Sequence, residues 1–255
     1  MTDQETSAVP PSAAPPDATP PSPGLLGRFI GVITSPRATF EAVARDPRWL
    51  GMAGLVLLVT LAPATWFQMT DIGRQAALDQ AVRATEAFGI TVTDQMYDQM
   101  AKATLDAPAW RTLLGMGIGA LVSPVVWAAI AGLLFALMTV MGGNARFKQV
   151  FAVTVHSSAV SALGGLFATP INYLRETTTG VTNLAVFFPM LPEGGFLARL
   201  LGTVDLFLVW WVLVLAIGLA VLYRRKTAGV AIALFSIYAV IAIGYAAIFG
   251  LRSAS

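Results

Sequence analysis

Five stretches of this chain are too long and too poor in charge to fold in water, and they limit it to very few architectures. Trp49 to Met69, between Arg48 and Asp71, carries no charge. As a helix rising about 1.5 Å per residue it is about 31 Å long, which matches the hydrocarbon core of a bilayer. The interval between Arg111 and Arg146 is longer than one crossing needs, and the span is placed at Leu113 to Met141, with the excess tilting or projecting. Val150 to Leu174, Leu201 to Tyr223 and Thr227 to Gly250 complete the set. The expectation is an all-α polytopic membrane helical bundle with five transmembrane helices. Backbone polar groups in lipid find partners only within such helices or in a closed barrel.

Composition agrees. The chain is 56% hydrophobic and 12% charged, with a mean hydropathy of +0.71, whereas soluble domains carry about 25% charged residues. A soluble enzyme is excluded on this ground. The net charge of +2 is small and scattered, so no nucleic acid is expected as a partner. Cysteine is absent, which excludes disulfides, thiolate metal sites and cysteine nucleophiles. No metal or cofactor is expected, and no catalytic residue is assigned, since the chain carries no H-E-x-x-H, G-x-S-x-G or Walker pattern.

Outside the spans the chain divides by composition. Residues 1–24 hold seven of the fifteen prolines and no aromatic residue, the composition of a disordered tail, and lack the basic and apolar regions of a signal peptide. Residues 25–48 read as an interfacial amphipathic helix: Leu25, Leu26, Phe29, Ile30, Val32 and Ile33 form an apolar patch, Ser35 is a good N-cap, and Pro36 suits the first helical turn of a segment running to about Arg45. Residues 49–250 form the membrane domain. Within it, residues 70–112 read as an extramembrane helical hairpin, with Gly89 closing a first helix and Thr93 capping a second that runs to Leu105. The acids Asp71, Asp79, Glu86, Asp94, Asp98 and Asp106 are read there as a solvated face, because no calcium-loop spacing is present. Val186, Phe187 and Phe188 are placed at the interface, and residues 251–255 are a tail.

Five crossings put the ends of the chain on opposite sides. Arg37, Arg45, Arg48, Arg146, Lys148, Arg224, Arg225 and Lys226 collect on the N-terminal side, the last three in the shortest loop. Positive residues in short loops stay inside, so the N-terminus is expected to be cytoplasmic and the C-terminus outside.

Asp205 and His156 are the titratable groups of interest within the spans, and such groups are functional candidates by default. They fall toward opposite ends of the bundle and are not expected to meet. Asn172, Tyr173 or Arg175 is expected to satisfy Asp205, and His156 to hydrogen-bond between helices beside Ser157 and Ser158. Gly115, Gly119 and Ser123 recur every fourth residue, as do Ala128, Gly132 and Ala136, and Ser157, Ser161 and Gly165. Small residues at this spacing let helices approach closely, within a bundle or between chains.

Three segments then resemble one family: Ser35-Pro36-Arg37-Ala38-Thr39-Phe40 before the first span, Gly142-Gly143-Asn144-Ala145-Arg146-Phe147-Lys148-Gln149-Val150 entering the third, and Val204-Asp205-Leu206-Phe207-Leu208-Val209-Trp210 entering the fourth. Their order and spacing are similar to those of the bacterial branch of the Yip1 family, over about residues 27 to 250. The resemblance implies a five-helix membrane domain with a cytosolic N-terminus. Eukaryotic members of that family interact with Rab-type GTPases in vesicle traffic, but their Asp-Leu-Tyr-Gly-Pro stretch is missing here. Where many members carry Tyr-Ser-x-x-Pro, this chain reads His156-Ser157-Ser158-Ala159-Val160.

The functional expectation is a non-enzymatic membrane protein that organises membrane or partners. Its partners are the lipid bilayer, further copies of itself, and an unidentified membrane or cytosolic protein. The alternative is a small transporter or channel that uses Asp205.

Overall fold

A computed structural model describes residues 24–178, 180–192 and 195–252, the last three in backbone only. The tail assigned to residues 1–24 lies outside the described residues except for Gly24, as do residues 253–255 of the C-terminal tail.

The described residues are helical almost throughout: α1 (Leu25–Thr34), α2 (Pro36–Arg45), α3 (Leu50–Met69), α4 (Asp71–Ala87), α5 (Asp94–Leu105), α6 (Ala109–Val140), α7 (Phe147–Leu174), α8 (Phe196–Thr203), α9 (Leu206–Leu222) and α10 (Thr227–Arg252), with one 3-10 turn at Leu184–Phe187. Four of them, α3, α6, α7 and α10, are long and apolar enough to cross a membrane. The fifth apolar helix, α9, has 17 residues and is about 25 Å long.

That shortness corrects the expected fourth span of Leu201 to Tyr223. The chain breaks at Val204 and Asp205 because an extended pair forms there. Asn183 and Asp205 make an antiparallel bridge, in which Leu184 N–H donates to Val204 O at 3.0 Å and Leu206 N–H to Thr182 O at 3.1 Å. A new helix must therefore start, and Asp205 is its N-cap.

Contacts fix the directions of the helices. Trp49 meets Phe151 with ring centroids 4.9 Å apart, and Trp66 meets Tyr173 at 5.5 Å, so α3 and α7 run parallel. Helix α9 runs the other way, with Phe207 beside Gly164 and Gly218 beside Val153. Tyr238 of α10 donates its hydroxyl hydrogen to Thr203 O. One end of the bundle thus gathers Arg45, Arg48, Arg146, Lys148 and Arg224 to Lys226. The other carries α4, α5 and Asp205, with Phe249 of α10 against Phe88 just past the end of α4.

Helix α7 is the axis. From Val150 to Val160 every residue is buried, and α3, α6, α9, α1 and α2 all pack on it. The N-terminal segment also differs from the surface-lying helix expected of it. It is a pair of helices, and Val32, Phe40 and Val43 are fully buried in the bundle core. Gly218 makes this docking work, since a Cβ there would stand 2.6 Å from Val153 Cγ1 and 3.1 Å from the Phe40 ring. Arg28, 5% exposed, pairs with Asp46 at 3.3 Å, and Arg48 pairs with the same carboxylate at 2.9 Å. One acid thereby ties α1 and the end of α2 to the approach of α3.

Helices α4 and α5 form the hairpin at the places the sequence marks. Gly89 takes a left-handed φ of 79°, and the Thr93 side chain accepts from Met96 N–H. Arg74 donates to Leu105 O at 2.8 Å, which holds the two helices together.

Candidate functional site

Asp205 is occupied by its own loop. Its Oδ1 accepts from the backbone N–H of Phe207 at 2.9 Å and of Leu208 at 3.0 Å, and its Oδ2 accepts from the Thr182 hydroxyl. The carboxylate therefore caps α9, where the helix dipole favours a negative charge, and latches the 182–184 segment to it. This corrects the expected partners. Asn172 leaves a buried Oδ1 with no hydrogen-bond partner among the described residues, and the Tyr173 ring packs at a tilt against Trp66. Thr182 was not legible as the partner, because it is 23 residues away in a segment with no periodic pattern.

His156 is fully buried on α7. Its Nδ1 donates to Ala152 O one turn back, at 2.7 Å, and its Nε2 has no partner among the described residues. The bond runs along its own helix rather than across to another. Thr154, Ser157 and Ser158 behave alike, each donating to the carbonyl four residues earlier. As expected from the topology, His156 and Asp205 lie toward opposite ends of the bundle.

The small-residue stripes separate into two groups. A Cβ on Gly115, Gly132 or Gly165 would meet nothing within 4 Å, and one on Gly119 would touch only Leu61, at 3.8 Å. Close helix crossings within the chain fall elsewhere, at Gly218 and at Gly164, where a Cβ would stand 2.7 Å from the Phe207 ring. Gly164 adjoins the expected Gly165, and one residue on a helix turns a side chain by about 100°. The spacing was visible in the sequence, but not which of two neighbouring glycines faces α9.

Ser123 of α6 and Ser161 of α7 instead line an open cleft of about 350 Å³, walled also by α3 and α9. Thr60, Ser158 and Trp211 share its lining. Ser123 donates to Gly119 O at 2.7 Å and Ser158 to Thr154 O at 3.1 Å, so both oxygens keep lone pairs for another donor. Trp211 Nε1 is buried and has no hydrogen-bond partner among the described residues. The cleft thus offers apolar walls, hydroxyl oxygens as acceptors and one indole donor, at a depth where lipid supplies no water to satisfy them. Trp211 lay outside the sequence reading, because an indole in an apolar run carries no periodic signal.

No group of three or more His, Asp or Glu able to hold a metal ion converges among the described residues.

Comparison with known proteins fits this architecture. The Yip1 domain family model matches residues 30–249. The Membrane protein YknW of Bacillus subtilis (strain 168) is 27% identical over 230 residues, covering 88% of each chain. No solved structure matches. The family match takes in every apolar helix from α3 to α10 and most of the buried N-terminal pair, and the chain belongs to the Yip1 family of integral membrane proteins.

Proposed function

We propose that this protein is a non-enzymatic scaffold of the bacterial inner membrane, with its N-terminus in the cytoplasm. It grips a partner helix, first of all that of a second copy, inside the bilayer. The observation that carries this reading is the cleft lined by Ser123 and Ser161. Small residues on two neighbouring helices leave a gap there instead of closing on each other. Ser161 on α7 is exposed, and Val126 on the α6 wall of the same cleft is 48% exposed, so an incoming helix can reach both. Helix association in lipid relies on this kind of close packing and on hydrogen bonds that replace unsatisfied groups, and Trp211 Nε1 supplies one such group.

Transport through Asp205 draws less support. Its oxygens accept from two backbone amides and a threonine at the start of a helix, which leaves the carboxylate little freedom to bind and release an ion.

The chain has no cysteine, so single Ser161→Cys and Ser123→Cys variants can be crosslinked in native membranes without further changes. The expected result is a homodimer or a discrete adduct that Ser161→Trp, by filling the cleft, abolishes. Monomer alone under all conditions removes the reading. Proton or ion flux into proteoliposomes that Asp205→Asn eliminates would replace it with the transporter.

A further inference from the structure

At the opposite end of the molecule from Asp205, two short loops are stitched into a second recess. Gly143 lies under the Tyr223 ring so closely that a Cβ would come 2.4 Å from its Cδ1, and Arg225 donates to Met141 O from the neighbouring loop. Between the loops is a cavity of about 400 Å³ lined by Asn144, Ala145, Gln149, Leu222, Tyr223 and Arg224.

Three features of the recess point to the same chemistry. First, Tyr223 lines the recess, and its hydroxyl is buried with no hydrogen-bond partner among the described residues. Second, Arg224 lines the recess from a left-handed backbone with φ 52°. That conformation disfavours any residue with a side chain and would suit glycine, yet an arginine occupies it. Third, residues 141–150 and 222–227 carry Arg146, Lys148, Arg224, Arg225 and Lys226 and not one acid. The described acids of the adjoining α1–α2 pair, Glu41 and Asp46, are already matched by Arg37, Arg28 and Arg48. Gln149 is held in place by the wall, because its amide nitrogen donates one hydrogen to Ala44 O at 2.9 Å and its oxygen accepts from Arg146 N–H.

We infer that this recess binds the phosphate of an anionic phospholipid, with the Arg224 guanidinium, the Tyr223 hydroxyl and the Asn144 amide as donors. A phosphate offers several strong acceptor oxygens to such a set, and a guanidinium pairs with it through parallel hydrogen bonds. A lipid is favoured over a soluble phosphate by position. Leu222, the last residue of the apolar helix α9, and Ala145, two residues before the membrane-length α7, put apolar wall in the recess at the end of the bundle, the depth of headgroups, and basic pockets between membrane helices attract anionic lipid. The surrounding cations repel the choline of a zwitterionic headgroup.

The test uses the full chain in micelles, with bound lipid counted by native mass spectrometry against equal amounts of phosphatidylglycerol and phosphatidylcholine. Retention of phosphatidylglycerol by about tenfold over phosphatidylcholine is expected, the worth of one charge-assisted contact. Arg224→Gly, which removes the guanidinium while suiting the left-handed backbone, should abolish the preference without lowering thermal stability. Tyr223→Phe should weaken it about threefold, as for one neutral hydrogen bond. Lys102→Gln, in α5 at the far end, should leave it unchanged. Equal retention of the two lipids, or a preference that survives Arg224→Gly, overturns the assignment. So does an Arg146→Gln/Lys148→Gln double variant that weakens binding as much as Arg224→Gly, because the attraction would then be diffuse. Displacement of the lipid by millimolar inorganic phosphate overturns the lipid source.

Discussion

Helices α6 and α7 are both membrane-length, yet they live in different surroundings. In α7, 72% of the most apolar stretch is buried in the bundle, against 22% in α6. The buried helix is the less apolar of the two, the reverse of what burial in a water-soluble protein would give. In lipid the apolar surface has nothing to escape from, while polar side chains do. Helix α7 carries Thr154, His156, Ser157 and Ser158, all buried. Helix α6 presents Leu121, Val125, Leu133 and Val140, each at least 66% exposed. Polarity rather than hydropathy therefore marks the centre of a bundle of this kind.

The comparison can be broken by substitution, with stability read as unfolding in detergent. The largest effect should come from Phe40→Ala, since this fully buried ring fills the contact of α2 with α9; a loss of about 3 to 5 kcal/mol is expected. If it unfolds no more easily than Leu121→Ala on α6, the distinction between the two surroundings fails. Gly218→Ala comes next, with a loss of about 1 to 3 kcal/mol from overpacking, because its Cβ collides with Val153 and Phe40. Asp205→Ala should lower stability by about 1 kcal/mol through the lost cap of α9, and Asp205→Asn by less, because an amide oxygen still caps. A full loss in Asp205→Asn would mean that the charge itself carries the contact. Smallest and opposite in sign is Gly132→Ala on α6. Nothing stands within 4 Å of that Cβ, so the helix should gain up to about 1 kcal/mol. A loss at Gly132 would reveal packing against another chain.

Much of the architecture was legible in advance. The uncharged run ending at Met69 became α3, and Thr93 and Gly89 bound the hairpin helices as their chemistry requires. These features are local, set by a residue and its near neighbours in the chain. The errors share one cause. Asp205 was read within a span because Leu201 to Tyr223 is apolar around it, and the strand-like pairing that breaks the helix comes from Thr182 to Leu184. Residues 25–48 were read as surface-lying because amphipathicity shows one apolar face without showing what covers it. The cleft was hidden for the same reason, since Ser123 and Ser161 meet only when α6 and α7 are brought together.

The sequence by itself determined that this chain is a bundle of apolar helices in a membrane and where most of those helices begin and end, because hydropathy, caps and turn glycines act over a few residues. Tertiary structure alone decided that α7 is the axis, that Gly164 and Gly218 carry the close crossings, that Asp205 is a cap, and that two recesses remain open. Those outcomes depend on which faces meet, and contacts between residues distant in the chain are set by the packing of the whole bundle rather than by any stretch of it.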